Sequence, residues 1–163
     1  MTQIAGFHHV TLPARDLDRS GDWYERVFGF QRVLIEEDAD RVTMVLLEHP
    51  DGMLLCLHQP PDPSPAWQGL GSAVAVLSFR VASRADQMRW DGRLTELGAE
   101  HASPRQAHLG WALDVIDPSG LRIQLHTYEA VSADDTSHDQ MLRRAHIAAC
   151  GCGSGARRLD TVQ

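Results

Sequence analysis

Residues 49 to 58, HPDGMLLCLH, and residues 117 to 126, DPSGLRIQLH, write one phrase twice: a proline, a turn ending in glycine, and an alternating run that closes on Leu-His. Setting Pro50 on Pro118, Gly52 on Gly120, Cys56 on Gln124 and His58 on His126 keeps a constant offset of 68 residues. The correspondence runs further back: Gly29 in VFGF and Gly98 in ELGA are 69 apart, and His9 lies over Val76 at 67. Such a period marks one supersecondary unit used twice, so both halves must reach the same local structure.

Within the unit, VTL and LSF alternate as strands do, and each precedes a helical pattern. The first helix is expected from about Arg19 to Phe28, with Asp18 or Ser20 as its cap and Trp23, Val27 and Phe28 toward one side. The second is expected from about Arg84 to Leu97, with Ser83 as N-cap and Asp86 three residues on. Gly29 and Gly98 then stand where a left-handed C-cap residue belongs. Three strand-like runs follow each helix: FQRVLIEE, RVTMVLLE and GMLLCLHQ, then a weaker Glu100 to Ser103 segment, GWALDVI and GLRIQLHT. Asp51-Gly52 and Ser119-Gly120 are hairpin turns. The fold class is therefore α+β, with two tandem βαβββ modules at residues 1–58 and 70–129. Residues 59–69 hold the proline-rich QPPDPSPAW, a stiff connector, and 130–163 form an extension outside the repeat. In that extension a short helix capped by Ser137 or Asp139 is expected, followed by a mobile Gly-rich end.

Period two separates packing from chemistry on adjacent residues. Val10 with Leu12, Leu55 with Leu57, Leu77 with Phe79 and Ile123 with Leu125 make apolar faces that must pack under the helices. The opposite, concave face is lined by His9, Thr11, Leu54, Cys56, His58, Ser78, Arg80, Arg122, Gln124 and His126. His58 and His126 are pseudo-symmetric partners there. With His9 they could form a metal site or titrate as acid and base, or each could simply hydrogen-bond a strand end. Arg80 and Arg122 could grip a carboxylate or enolate oxygen, or be held by an internal ion pair with Glu48 or Asp114. Cys56 reads either as a thiolate ligand or as a small buried hydrophobe. Trp67 and Trp111 could form an aromatic rim to a binding groove, against the commoner role of filling a core.

With 22 acidic against 15 basic residues, a net charge of -7 and no basic run beyond Arg143-Arg144 and Arg157-Arg158, neither nucleic acid nor an anionic membrane is an expected partner. The opening MTQIAGFHHV has no secretory pattern, and Cys56, Cys150 and Cys152 make no framework of paired spacings, so a cytoplasmic location is expected. His146, Cys150 and Cys152 form a loose cluster too small for a closed zinc site.

HHVTLPARDLDRSGDWYERVFGF and DPSGLRIQLH resemble the opening and closing signatures of the vicinal oxygen chelate superfamily, which includes glyoxalase I, bleomycin-resistance proteins and extradiol dioxygenases, over about residues 4 to 128. The resemblance implies an eight-stranded mixed, half-open barrel, a cup with helices outside, and a homodimer. It also implies a divalent metal (Fe, Mn, Ni or Zn) on positions that become His9, Cys56, Val76 and Gln124 here. Valine coordinates nothing and Gln124 offers a neutral amide where the family carries a carboxylate. The leading expectation is a binder or converter of a small organic ligand, with a degenerate metal centre: catalytic His9, His58 and His126; ligand contacts from Thr11, Cys56, Ser78, Arg80, Trp111, Arg122 and Gln124; residual metal donors His9, Cys56 and Gln124. The competing expectation is a metal-dependent lyase, isomerase or dioxygenase with a rearranged ligand set.

Overall fold

The structure is a computed structural model that describes residues 6–39, 41–60, 74–107 and 110–128. Most of the connector with Trp67, and the extension with Ser137, Asp139, His146, Cys150 and Cys152, lie outside the described residues. The element order repeats as expected: β1 (Val10–Pro13), α1 (Leu17–Phe28), β2 (Gln31–Asp38), β3 (Arg41–Glu48) and β4 (Leu54–His58), then β5 (Ala75–Arg80), α2 (Arg84–Glu96), β6 (Arg105–Ala107), β7 (Gly110–Ile116) and β8 (Arg122–His126).

Helix α1 starts two residues before the expected position. Asp16, not Asp18 or Ser20, is the N-cap, its carboxylate accepting from Arg19 N at 2.9 Å. Ser20 is buried instead, because the helix turns its Trp23, Tyr24, Val27 and Phe28 side inward and Ser20 shares that side. Helix α2 begins as expected: Ser83 Oγ accepts from Asp86 N at 3.1 Å and donates to the Asp86 carboxylate at 2.6 Å. The Ser83 hydrogen bond holds the Asp86 carboxyl below its ordinary range, with Arg89 adding to the effect. Both hairpin turns close on glycine, Gly52 at φ 82 and Gly120 at φ 85, a backbone region that favours the residue without a Cβ.

Two four-stranded sheets result, ordered β1-β4-β3-β2 and β5-β8-β7-β6, each with a parallel pair at one edge (β1 with β4, β5 with β8) and antiparallel pairs beyond it. No strand pairing joins the two sheets among the described residues, so they do not close into the expected barrel. The strand expected at Glu100 to Ser103 is displaced to Arg105–Ala107. Residues 100 to 102 still follow β7, through Ile116 N to Glu100 O and Ala102 N to Asp114 O, but Pro104 has no N–H and regular pairing resumes only after it.

One hydrophobic cluster runs through both modules, with Leu12, Val45, Leu47, Leu55 and Leu57 under α1 and Leu113, Val115, Ile123 and Leu125 under α2. The seam is aromatic: the Phe28 ring stands 5.1 Å from Phe79 and 5.6 Å from Trp90, centroid to centroid. Arg32 ties β2 to α1 through Asp22 at 2.6 Å and Glu25 at 2.9 Å. Among the described residues no helix is long and apolar enough to cross a membrane.

Candidate ligand-binding face

Strand register sorts the candidate residues. On the first sheet, Pro13, His58 and Met44 form one cross-strand row and Thr11, Cys56 and Leu46 the next. On the second, Arg80, His126 and Ala112 form one row and Ser78, Gln124 and Asp114 the next. Leu57 and Leu125, adjacent in sequence to His58 and His126, are fully buried beneath the helices. The alternation read from sequence is therefore present, but on two separate sheets: His9, Thr11, Cys56 and His58 belong to one open face, and Ser78, Arg80, Arg122, Gln124 and His126 to the other. Trp111 is not brought to either open face. It shares the helix side with Leu113, and the Arg84 guanidinium lies 3.9 Å above its ring.

Each half has its own chemistry. His9 is exposed, with its Nδ1 2.7 Å from Nδ1 of His8 and the two rings edge to face. Cys56 is buried, and desolvation pushes its thiol up despite an opposing hydrogen bond from Thr11, so it stays protonated as a weakly polar hydrophobe. His58 is exposed at the end of β4. His126 is half-buried, and its Nδ1 donates to the Thr127 carbonyl at 2.7 Å, which leaves Nε2 of the neutral ring as an acceptor.

The centre of the second face is Asp114, considered from sequence only as an ion-pair partner. Gln124 Nε2 donates to its Oδ1 at 2.8 Å, while Arg105 Nη2 and Arg122 Nη1 approach Oδ2 at 3.3 and 4.0 Å. The signal for Asp114 was present in GWALDVI, where a lone charge alternates with Leu113 and Val115. Arg105 gave none, since it follows an irregular segment. Arg80 leans over the Tyr128 ring at 5.8 Å.

Beside this face, a cavity of about 360 Å³ runs along the edge of β5, lined by Phe28, Phe30, Phe79 and Trp90 together with Ser78 and Arg80. A second cavity of about 810 Å³ separates α1 from the β7–β8 turn and includes none of the candidate residues. Among the described residues no group of three or more His, Cys, Asp or Glu is placed to hold a metal ion.

The family model of the Glyoxalase/Bleomycin resistance protein/Dioxygenase superfamily matches residues 6–125. Among solved structures, a glyoxylase/bleomycin resistance protein/dioxygenase domain from Frankia sp. EAN1pec is similar at 22% identity and TM-score 0.63, covering 80% of this chain and 96% of that one. TnmS3, an antibiotic binding protein from Streptomyces sp. CB03234, is similar at 18% identity and TM-score 0.63, covering 79% of this chain and all (100%) of that one. A mutant of the fosfomycin resistance protein FosX from Listeria monocytogenes, complexed with Mn(II) and 1S,2S-dihydroxypropylphosphonic acid, is similar at 17% identity and TM-score 0.61, covering 88% and 100%. At these identities the likeness is one of fold. No curated protein matches the chain.

Proposed function

The chain belongs to the Glyoxalase/Bleomycin resistance protein/Dioxygenase superfamily, and from that premise we propose that it binds a small organic, anionic or aromatic ligand without the family's metal, sequestering it or converting it through its own side chains. The observation that carries this reading is the donor set at the four positions where the family's metal would be held. Val76 has no donor atom. Cys56 is a buried thiol whose pKa is raised, opposite to what a thiolate ligand requires. Gln124 gives its amide N–H to Asp114 and keeps only a neutral amide oxygen, Oε1. One imidazole and one neutral amide oxygen do not make up the ligand set that a divalent ion needs.

The two open faces supply complementary halves of a cup. Histidine and threonine lie on one, and arginine, glutamine and histidine on the other; two copies of the chain that bring the first sheet of one against the second sheet of its partner would enclose a ligand between them. His58 and His126 would then flank it as acid and base or as hydrogen-bond partners.

Elemental analysis of protein purified without chelator, followed by ligand titration before and after dialysis against EDTA, tests the proposal. Substoichiometric metal and unchanged binding are expected. Near-stoichiometric Fe, Mn, Ni or Zn that vanishes in His9→Ala would overturn it in favour of a metal-dependent enzyme with a rearranged ligand set.

A further inference from the structure

We infer that Asp114 organises an anion grip on the open face of the second sheet, with Arg105 and Arg122 as the gripping groups and Gln124 as a fixed acceptor beside them. The inference rests on the ligand-binding reading above and specifies what that ligand must carry.

The argument begins with the two oxygens of one carboxylate. Oδ1 of Asp114 is taken by Gln124 Nε2 at 2.8 Å, which turns the amide so that its Oε1 is left for another donor. Oδ2 is approached by two guanidiniums, Arg105 at 3.3 Å and Arg122 at 4.0 Å. One carboxylate neutralises one guanidinium. The pair therefore retains a positive charge and several N–H donors that Asp114 does not use. Arg80, two residues along β5 from Ser78, adds a third guanidinium and forms no ion pair among the described residues.

The Asp114 side chain is only 13% exposed and that of Arg122 26%, while Arg105, 52% exposed, reaches the carboxylate from the solvent side. At the depth of Asp114 and Arg122 the shared carboxylate restricts where the Arg122 guanidinium can stand, and water screens its charge less than on an open surface. A locally cationic face on a chain of net charge -7 is selective in itself, since the rest of the molecule repels the anions this face attracts. The ligand class that fits is a planar carboxylate or a related oxyanion. Its oxygens would take the fork of Arg105 and Arg122, and a donor group would meet Gln124 Oε1.

Benzoate and its uncharged isostere benzamide, titrated into the full chain and followed by 1H–15N spectra and calorimetry, test this. Benzoate is expected to bind at least about tenfold more tightly than benzamide, with shifts on β7 and β8, and to weaken as NaCl is added. Arg105→Gln and Arg122→Gln should each lower benzoate affinity about tenfold and leave benzamide unchanged, with Lys at either position restoring part of it. Asp114→Asn keeps an acceptor for Gln124 but releases the guanidiniums, so benzoate affinity should fall although the face gains positive charge. A rise would show that Asp114 only dilutes the charge, and would overturn its organising role. Equal binding of benzoate and benzamide, or binding indifferent to both arginine changes, would overturn the anion grip and leave the ligand-binding reading standing. No shift with either probe up to about 10 mM would overturn both.

Discussion

Tyr24 in α1 donates its phenolic hydrogen to the Asp117 carboxylate at 3.2 Å, so the helix of the first module is bonded to the hairpin turn of the second across a buried seam. The same carboxylate accepts from the backbone N–H groups of Ser119 and Leu121, each at 2.8 Å. Burial dominates these bonds and raises the Asp117 pKa above its ordinary value; burial and the neighbouring Asp117 raise that of Tyr24. A carboxyl whose folded pKa lies above its unfolded one binds more protons folded, so its contribution to stability is present in acid and is lost as pH rises through the folded pKa. The deficit of Asp117→Asn relative to the native chain is therefore expected to be largest in acid and to shrink as pH rises, in urea unfolding from about pH 3 to 7. A deficit that grows with pH would refute the burial argument. Tyr24→Phe should cost about 1.5 to 3 kcal/mol at neutral pH, the range for a hydrogen bond to a charged group.

Gln87 is fully buried in α2, and its amide donates to the carbonyls of Trp111 at 3.0 Å and Leu125 at 2.9 Å, while its Oε1 accepts from Arg84 at 2.7 Å. It bonds the helix to the β7 and β8 backbones, sharing the Trp111 carbonyl with the Thr127 N–H at 2.9 Å. Gln87→Leu keeps the volume and removes both donors, and about 1 to 3 kcal/mol of destabilisation is expected in all, chiefly from the Leu125 carbonyl that loses its side-chain donor. Thermal unfolding of Gln87→Leu beside Gln87→Glu checks this. A neutral effect of the leucine would mean that other donors satisfy those carbonyls.

Adjacent residues on β4 and β8 should behave oppositely. Leu57→Ala and Leu125→Ala empty space beneath the helices and are expected to cost about 2 to 5 kcal/mol each. His58→Ala and His126→Ala should weaken ligand binding, with a smaller cost in stability. For His126 the Nδ1 bond to Thr127 adds a loss of about 1 kcal/mol that His58 does not share. Chemical denaturation and ligand titration on the four variants separate the two effects. Equal destabilisation by the histidine and the apolar changes would remove the distinction between the faces.

The modules, their order and the apolar faces were legible because glycine turns and period-two alternation are local properties, and the repeat supplied each of them twice. What escaped depends on contacts between distant segments. Asp16 rather than Asp18 caps α1 because the buried Ser20 and Trp23 set the helix rotation. Trp111 lies on the helix side because β7 pairs with β8 in a register that puts Leu113 against Leu125 and Ala112 against His126. The separation of the two sheets was equally illegible, since alternation says which residues share a face and nothing about which sheets face each other. Asp114 became visible as a centre only when Arg105 and Arg122 arrived on it from two different strands.

The last expectation follows from an edge strand. Val33, Leu34 and Ile35 on β2 are 48%, 52% and 51% exposed, three consecutive apolar residues that present both faces of the strand to solvent at the outer edge of the first sheet. Ile35 pairs with the buried Val45 and still stays half exposed, so among the described residues its own module leaves it uncovered. An edge of this kind invites another chain to cover it. A homodimer that closes each cup across two copies would do so. Sedimentation equilibrium at micromolar concentration is expected to give a dimer, and Leu34→Arg to shift it toward monomer while leaving the helical signal in circular dichroism unchanged. Because a cup shared between copies needs both sheets, the same variant should lose ligand affinity; Leu34 stands two strands from Cys56 in the same cross-strand row, so the loss is to be read together with the shift to monomer. A native chain that sediments as a strict monomer and still binds ligand would overturn the shared cup, and would require the ligand to sit on one open face alone.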